Sequence, residues 1–397
     1  MLGGTLLPEA PLLPDAAASP SRPRRRGSPS RTRPVRGTAS PVLVRIVRGG
    51  IVESIHRGDI VEVDADGREL MAIGDPDQVV TLRSTAKPFG LVSLIEAGGV
   101  EAFDLSPAEL ALMASSHSGE DLHVRTIQAM YRRAHITQAT LACGAEGMPL
   151  DELTAARLAR DGERPGPVRH MCSGQHSVFL LLSKLHGWDP EGYWLPEHPA
   201  QAAYRAAVGR AFGLDPDRIP LVIDGCGVPT YALTLRDVAR AYAVLAEPAA
   251  LPATDTRRAS APALTIVRDA MLAHPEMVGG THDRLDTSLM KAMPGRLVSK
   301  AGMEALRGVA ILPGPRSDRI HQKGPSGLAL KIEDGGGHER ATWAATVEAL
   351  RQVGVADGRP LRELARYHRP TERDPHGRVA MEAVVDFELV PVGELVG

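Results

Sequence analysis

The sequence predicts an α+β fold, an antiparallel sheet flanked by helices and joined to a mostly helical lobe. Three observations carry that prediction: strand-like text fills residues 42–73, helix-like text dominates from there to about residue 294, and strand-like text returns before one more clear helix. Strands from the two ends of the chain would then pair in one sheet. The expected boundaries are a sheet lobe over about 41–84 and 295–397, and a helical lobe over about 85–294.

Taken in order, residues 1–40 contain PRRRGSPSRTRPVRGTAS, rich in Arg, Pro and Ser, and read as a disordered tail. The preceding LLPEAPLLP is too broken by proline for a signal peptide. VLVRIVRG is rich in β-branched residues, and DIVEVDADGRELMAIG alternates apolar residues around Asp66-Gly67, a hairpin signal. Ser106-Pro-Ala-Glu109 is a capping box with proline at the first helical position. EDLHVRTIQAMYRRA, QHSVFLLLSKLHGW, AQAAYRAAVGRAFG, LRDVARAYAVLA and APALTIVRDAMLA have the three-to-four spacing of amphipathic helices. IPLVIDGCG is an extended interruption; GRLVSK, RGVAILPG and GLALKIEDGG read as strands, and ATWAATVEALRQVG as the closing helix.

Composition narrows the function. A chain of 397 residues, 43% hydrophobic and 24% charged, has ample material for a core. A formal net charge of −2 supplies no long-range field for nucleic acid or an anionic membrane. No run reaches the ~18 apolar residues of a membrane span. Three cysteines in so long a chain argue for a reducing, cytoplasmic setting.

Only six of the 46 basic residues are lysine: Lys87, Lys184, Lys291, Lys300, Lys323 and Lys331. Lysine, unlike arginine, gives up its proton when its surroundings require it. In TLRSTAKPFG, a helix capped by Ser84 would place Lys87 on the same face, where a neutral amine could take the serine proton. On its own the pair is more often a cap and a first-turn lysine. ALMASSHSGED adds a run of hydrogen-bonding side chains including Ser116 and His117, and LVSKAG places Lys300 at a strand end, where its charge would depress the pKa of Lys87. HMCSGQHS puts Cys172 at a helix start, and IDGCGVPT puts Cys226 in a glycine-flanked turn.

Together RGGIVESIHRG, RSTAKP, ASSHSGED, CSGQH, DGCGVPT, HPEMVGG, LVSKAG and LKIEDG, in that order from about Val44 to Gly354, resemble the class 3, Rhizobium etli inducible-type L-asparaginases. The resemblance implies a serine β-lactamase- or penicillin-binding-protein-like architecture and hydrolysis of L-asparagine to L-aspartate and ammonia. It implies two serine–lysine tandems, Ser84 with Lys87 and Ser116 with Lys300, Ser84 being the nucleophile. It also implies a homodimer, with Asp224 and His117 beside the substrate. No cofactor is required for that chemistry. The family binds zinc through two cysteines and a lysine; Cys172 and Cys226 match, but Gln175 stands at the lysine position, which leaves a metal or a dry thiol pair open. Other readings are a threonine nucleophile freed by cleavage at Gly280-Thr281, an amino-acid- or zinc-binding protein without turnover, and, by fold analogy alone, β-lactam hydrolysis.

Overall fold

A computed structural model describes residues 39–144, 147–317, 324–335 and 338–391. The expected disordered tail therefore lies outside the described residues, apart from its last two positions. Ser40–Gly397 forms one compact unit.

Its centre is an antiparallel sheet of nine strands: β1 (Val42–Arg48), β2 (Ile51–Val63), β3 (Glu69–Ile73), β7 (Leu297–Gly302), β8 (Leu306–Ile311), β9 (Ser326–Ile332), β10 (Thr371–Arg373), β11 (Val379–Val385) and β12 (Val390–Pro391). A separate three-stranded sheet contains β4 (Val79–Thr81), β5 (Leu221–Ile223) and β6 (Pro229–Thr234), in the order β4-β6-β5. The main path runs β10-β11-β1-β2-β9-β8-β7, with β3 and β12 attached beside β2. The β2–β3 hairpin closes where expected: Gly67 takes φ +87°, and the Asp64 carboxylate accepts the Asp66 and Arg68 amides at 3.1 and 2.9 Å.

β7, β8 and β9 are buried on both faces, which explains their nearly continuous apolar text. The helix Leu235–Ala246 lies against them. A Cβ at Gly327 would come within 1.8 Å of Ala239 O, so glycine there allows the helix to rest on the sheet. The five helices expected from spacing all form, and the Ser106–Glu109 capping box closes in both directions. Among the described residues no helix is long and apolar enough to cross a membrane.

One expectation of order fails. The helix Trp343–Gln352 does not close the chain, because β10, β11 and β12 follow it. β11 pairs with β1, Val44 opposite Val385 and Ile46 opposite Ala383, so the far end of the chain protects the first strand. The alternation in VAMEAVV is half-exposed, and the sequence reading passed over it.

Candidate active site

Ser84 lies on a short turn rather than at a helix cap. β4 leads into a 3₁₀ turn at Arg83–Ala86, and the helix Lys87–Glu96 starts immediately after, with Ala86 at its N-cap and no side-chain cap bond. Lys87 is thus the first helical residue, not the third as expected. Arg83 has φ +47°, an uncommon value for a residue with a Cβ, which costs on the order of 1 kcal/mol and is held by its surroundings. Its guanidinium bonds Asp224 Oδ1 at 2.8 Å, Leu82 N–H donates to Tyr231 O at 2.7 Å, and Tyr242 Oη–H donates to Thr85 O at 2.9 Å. On the far side β7 presses on the turn: a Cβ at Gly302 would stand 3.2 Å from Leu82 O and from Thr85 Cγ2.

Ser116 sits in the loop after the helix Pro107–Met113, its N–H bonded to Val278 O at 3.2 Å. Its Oγ lies between two buried amines, 3.2 Å from Lys87 Nζ and 2.9 Å from Lys300 Nζ. Lys87 is 1% exposed and Lys300 0%. Lys87 Nζ also reaches Ser115 O at 2.9 Å and Cys172 Sγ at 3.3 Å, three acceptors for three ammonium donors. Lys300 Nζ has one further bond, to Ala301 O at 2.6 Å. Burial drives the Lys300 pKa well below the ordinary lysine value, and the charges of Lys87 and Arg284 push the same way against Asp286. Of this pair, Lys300 is the amine whose proton burial loosens, whereas the sequence reading put that effect on Lys87.

Ser84 and Ser116 both line a cavity of about 720 Å³, together with Ser118, Asp151, His282, Arg284, Asp286, Arg307 and Trp343. Asp286 is buried against Arg307 and accepts from Ser299 Oγ at 2.7 Å and Ala301 N–H at 2.9 Å, which fixes the end of β7 that carries Lys300.

Two expected contributors are committed elsewhere. Asp224 is paired to Arg83 and does not line this cavity. His117 is fully buried: its Nδ1 accepts the Gly119 N–H at 3.1 Å, so Nε2 carries the proton and donates to Ser173 Oγ at 2.8 Å. Burial, with His123 and Lys87 adding to it, holds the ring neutral. No ring nitrogen is left for a substrate. His117 instead braces the Ser116 loop against the helix Ser173–His186.

The thiols form a pair. The Cys226 thiol lowers the pKa of its neighbour Cys172 well below the ordinary thiol value against the effect of burial, with Lys87 acting the same way, while Cys172 and burial push the Cys226 pKa up. Gln175 donates to Tyr204 Oη at 3.2 Å and its buried Oε1 has no hydrogen-bond partner among the described residues. His176 bonds Tyr193 Oη through Nδ1 at 2.7 Å and is pushed down to about 3 by burial. Among the described residues, no grouping of three His, Cys, Asp or Glu ligands includes either cysteine. Two sulfurs, one of them already facing an ammonium, plus a neutral amide oxygen do not fit a resident zinc ion.

The model of the family described as L-asparaginase II matches residues 44–384. The chain belongs to the L-asparaginase II family. No curated protein matches it. Among solved structures, Mglu in its native form shares 16% identity over 77% of this chain and 66% of its own length, with a TM-score of 0.38. The Bacillus subtilis probable glutaminase shares 12% identity over 75% of this chain and 89% of its own, with a TM-score of 0.36. The match to the glutamate form of Mglu, at 16% identity and a TM-score of 0.39, covers 76% of this chain and 62% of the other. The chain thus spans just under two thirds of Mglu.

Sequence reading missed Arg284, Asp286, Arg307, Asp151 and His282 as cavity residues. The stretch THDRLD, directly after HPEMVGG, carries three of them and offered the signal of four charged or titratable residues within six positions.

Proposed function

We propose that this chain is an amidohydrolase that converts L-asparagine to L-aspartate and ammonia through an acyl-serine intermediate. The observation that carries the reading is the Ser116 hydroxyl set between two buried lysine amines on the wall shared with Ser84. Ser84 Oγ attacks the side-chain amide carbon, and its proton passes through Ser116 Oγ to the neutral amine of Lys300. The proton returns along the same path to the departing nitrogen, which leaves as ammonia. Water then attacks the ester, aspartate is released and Ser84 recovers its proton. Lys87 holds positive charge beside the reacting centre and orients Ser116. Neither thiol takes part in a step.

Family membership supports an asparagine- or glutamine-type amide, and the motif order supports the class 3 subtype, its homodimer, a two-lobed division and a cytoplasmic setting. The test is ammonia release by the purified chain from L-asparagine and L-glutamine, with and without Ser84→Ala. Release from asparagine that is lost in the variant is expected; no release from either amino acid overturns the reading.

A second reading makes Ser116 the nucleophile, because it is the serine directly bonded to both amines. Peptide mapping of acid-quenched enzyme, which shows the serine carrying the acyl group, separates the two. The threonine alternative is disfavoured: Thr281 N–H and Oγ–H both donate to Glu120, at 2.8 and 2.6 Å. An intact 42.3 kDa band in active protein excludes it.

A further inference from the structure

Charge of both signs stands at the cavity, Arg284 on one hand and Asp151 with His282 on the other. Elsewhere the buried cations are matched, Arg307 to Asp286 and Arg316 to Glu62. Arg284 donates from Nη2 to Ser116 O at 2.7 Å and is in no ion pair among the described residues. Asp151 lines the same cavity, and Glu120 is a buried carboxylate close to it, with ligand atoms of Glu120, Asp151 and His282 within 4.8 Å of one another. Glu120 accepts from Ser118 Oγ at 2.5 Å and from the Thr281 amide and hydroxyl, all neutral donors. Asp151 accepts from the Thr154 amide and hydroxyl at 2.8 and 2.7 Å, with His282 Nδ1 at 3.1 Å. These hydrogen bonds outweigh burial and hold both carboxyls below their ordinary range. Charges buried this way are costly unless a guest of opposite sign meets them.

We propose that Arg284 takes the α-carboxylate, and Asp151 with Glu120 and His282 the α-ammonium, of an amino-acid substrate whose side-chain amide lies at the serines. The proposal rests on the amidohydrolase reading and assigns the residues that hold the head group of its substrate. All three charges are tied to the loop that carries Ser116: Arg284 hangs on Ser116 O, Asp151 N–H bonds Ser118 O at 3.0 Å, and Ser118 Oγ bonds Glu120. The head group is therefore held at a set distance from the reacting hydroxyls, and the site reads side-chain length as well as charge. The rival guest of the acidic corner is a divalent cation, since ligand atoms of Glu120, Asp151 and His282 lie within 4.8 Å of one another.

The test uses three amides: L-asparagine; succinamic acid, which lacks the ammonium; and 3-aminopropanamide, which lacks the carboxylate. The parent is expected to prefer asparagine over each truncated amide by about 100-fold or more in kcat/KM, as for sites that leave buried polar groups unpaired with the wrong substrate. Asp151→Asn keeps the helix cap that Asp151 supplies to Glu152–Asp161 while removing the charge. It should cut the preference over succinamic acid by about tenfold or more and spare the preference over 3-aminopropanamide. Arg284→Gln should do the reverse, and Arg284→Lys should partly restore it. A folding defect lowers all three rates together, so an uncrossed pattern overturns the proposal. If chelator abolishes the preference over succinamic acid and added Mg²⁺, Ca²⁺ or Zn²⁺ restores it, the acidic corner is a metal site and the ammonium half falls. Should the parent release no ammonia from any amide, the functional reading fails by itself. Calorimetry with aspartate, succinate and β-alanine then decides the head-group site, and parent protein that does not prefer aspartate overturns it.

Discussion

Lys87 and Lys300 reach the same hydroxyl from a helix start and from a strand of the central sheet, and their surroundings differ. Lys87 starts a helix and meets a carbonyl, a hydroxyl and a cysteine sulfur, one acceptor for each ammonium hydrogen. Lys300 lies within β7, a strand buried on both faces, with one carbonyl, one hydroxyl and two nearby cations. Two identical side chains thus sit in unlike settings: Lys87 has an acceptor for each of its three hydrogens, one of them the Cys172 sulfur, while burial and neighbouring cations lower the Lys300 pKa. In the proposed mechanism the thiol pair would act only through its field on the two amines.

The largest effect tests whether the two lysines serve one nucleophile. Ser84→Ala should lower kcat at least about 10³-fold, and Ser116→Ala, which leaves both amines without their shared partner, by about 10²-fold or more. Near-normal turnover in Ser84→Ala would leave Lys87 and Lys300 serving Ser116 alone. Next come the charge-preserving swaps. Lys300→Arg fixes a proton where a neutral amine is needed and should cost more activity than Lys87→Arg. The opposite ranking in steady-state assays would restore the roles expected from sequence.

A smaller effect appears in pH profiles. The base form of Lys300 gains with pH, so kcat/KM should rise through an acid limb set below the ordinary lysine pKa. Removing the Lys87 charge with Lys87→Gln raises the Lys300 pKa, so the limb of the residual activity should move to higher pH. Removing the Cys172 charge with Cys172→Ser lowers it, so the limb should move the other way. Shifts of equal sign would break the comparison.

Stability offers an independent reading of the same residue. The Lys300 pKa is lower folded than its unfolded value of ~10.4, so between the two values unfolding binds a proton and stability rises with pH. Lys300→Met should flatten the slope of Tm between neutral pH and pH 10. The smallest expected effect is on metal content. The purified protein should carry well below one zinc per chain and resist chelators, and Gln175→Lys should raise zinc content without raising activity. One tightly held zinc per unmodified chain, lost in Cys172→Ser, would replace the Lys87 cation with a metal.

Periodicity was enough to place the amphipathic helices such as Asp121–Ala134, which bury one face and leave the other in water, while Ser173–His186 is buried nearly all round. It failed at β11, whose alternation is weakened by exposure on the edge beside β10. Motifs drew attention to Ser84, Lys87, Ser116 and Lys300, and Ser116 does meet Lys300, but Lys87 turns to Ser116 as well. A buried lysine spans several ångströms, and Lys87 uses that reach to cross to Ser116. Asp224 and His117 looked free because a lone acidic or imidazole side chain does not announce Arg83 or Ser173 as its partner. That Arg284 is in no ion pair among the described residues is likewise a property of the folded chain, although THDRLD marked its neighbourhood.

The turn that carries Ser84 has its fastenings in the deepest part of the molecule. Tyr242, in the helix that rests on the central sheet, holds Thr85 O, and Tyr231, in the small sheet, holds Leu82 N–H. No hinge separates these anchors from the core. On heating, the reactive turn has no private way to loosen, so loss of turnover and loss of ellipticity should trace one curve at one temperature. Such an enzyme fails abruptly: it works until the whole unit melts.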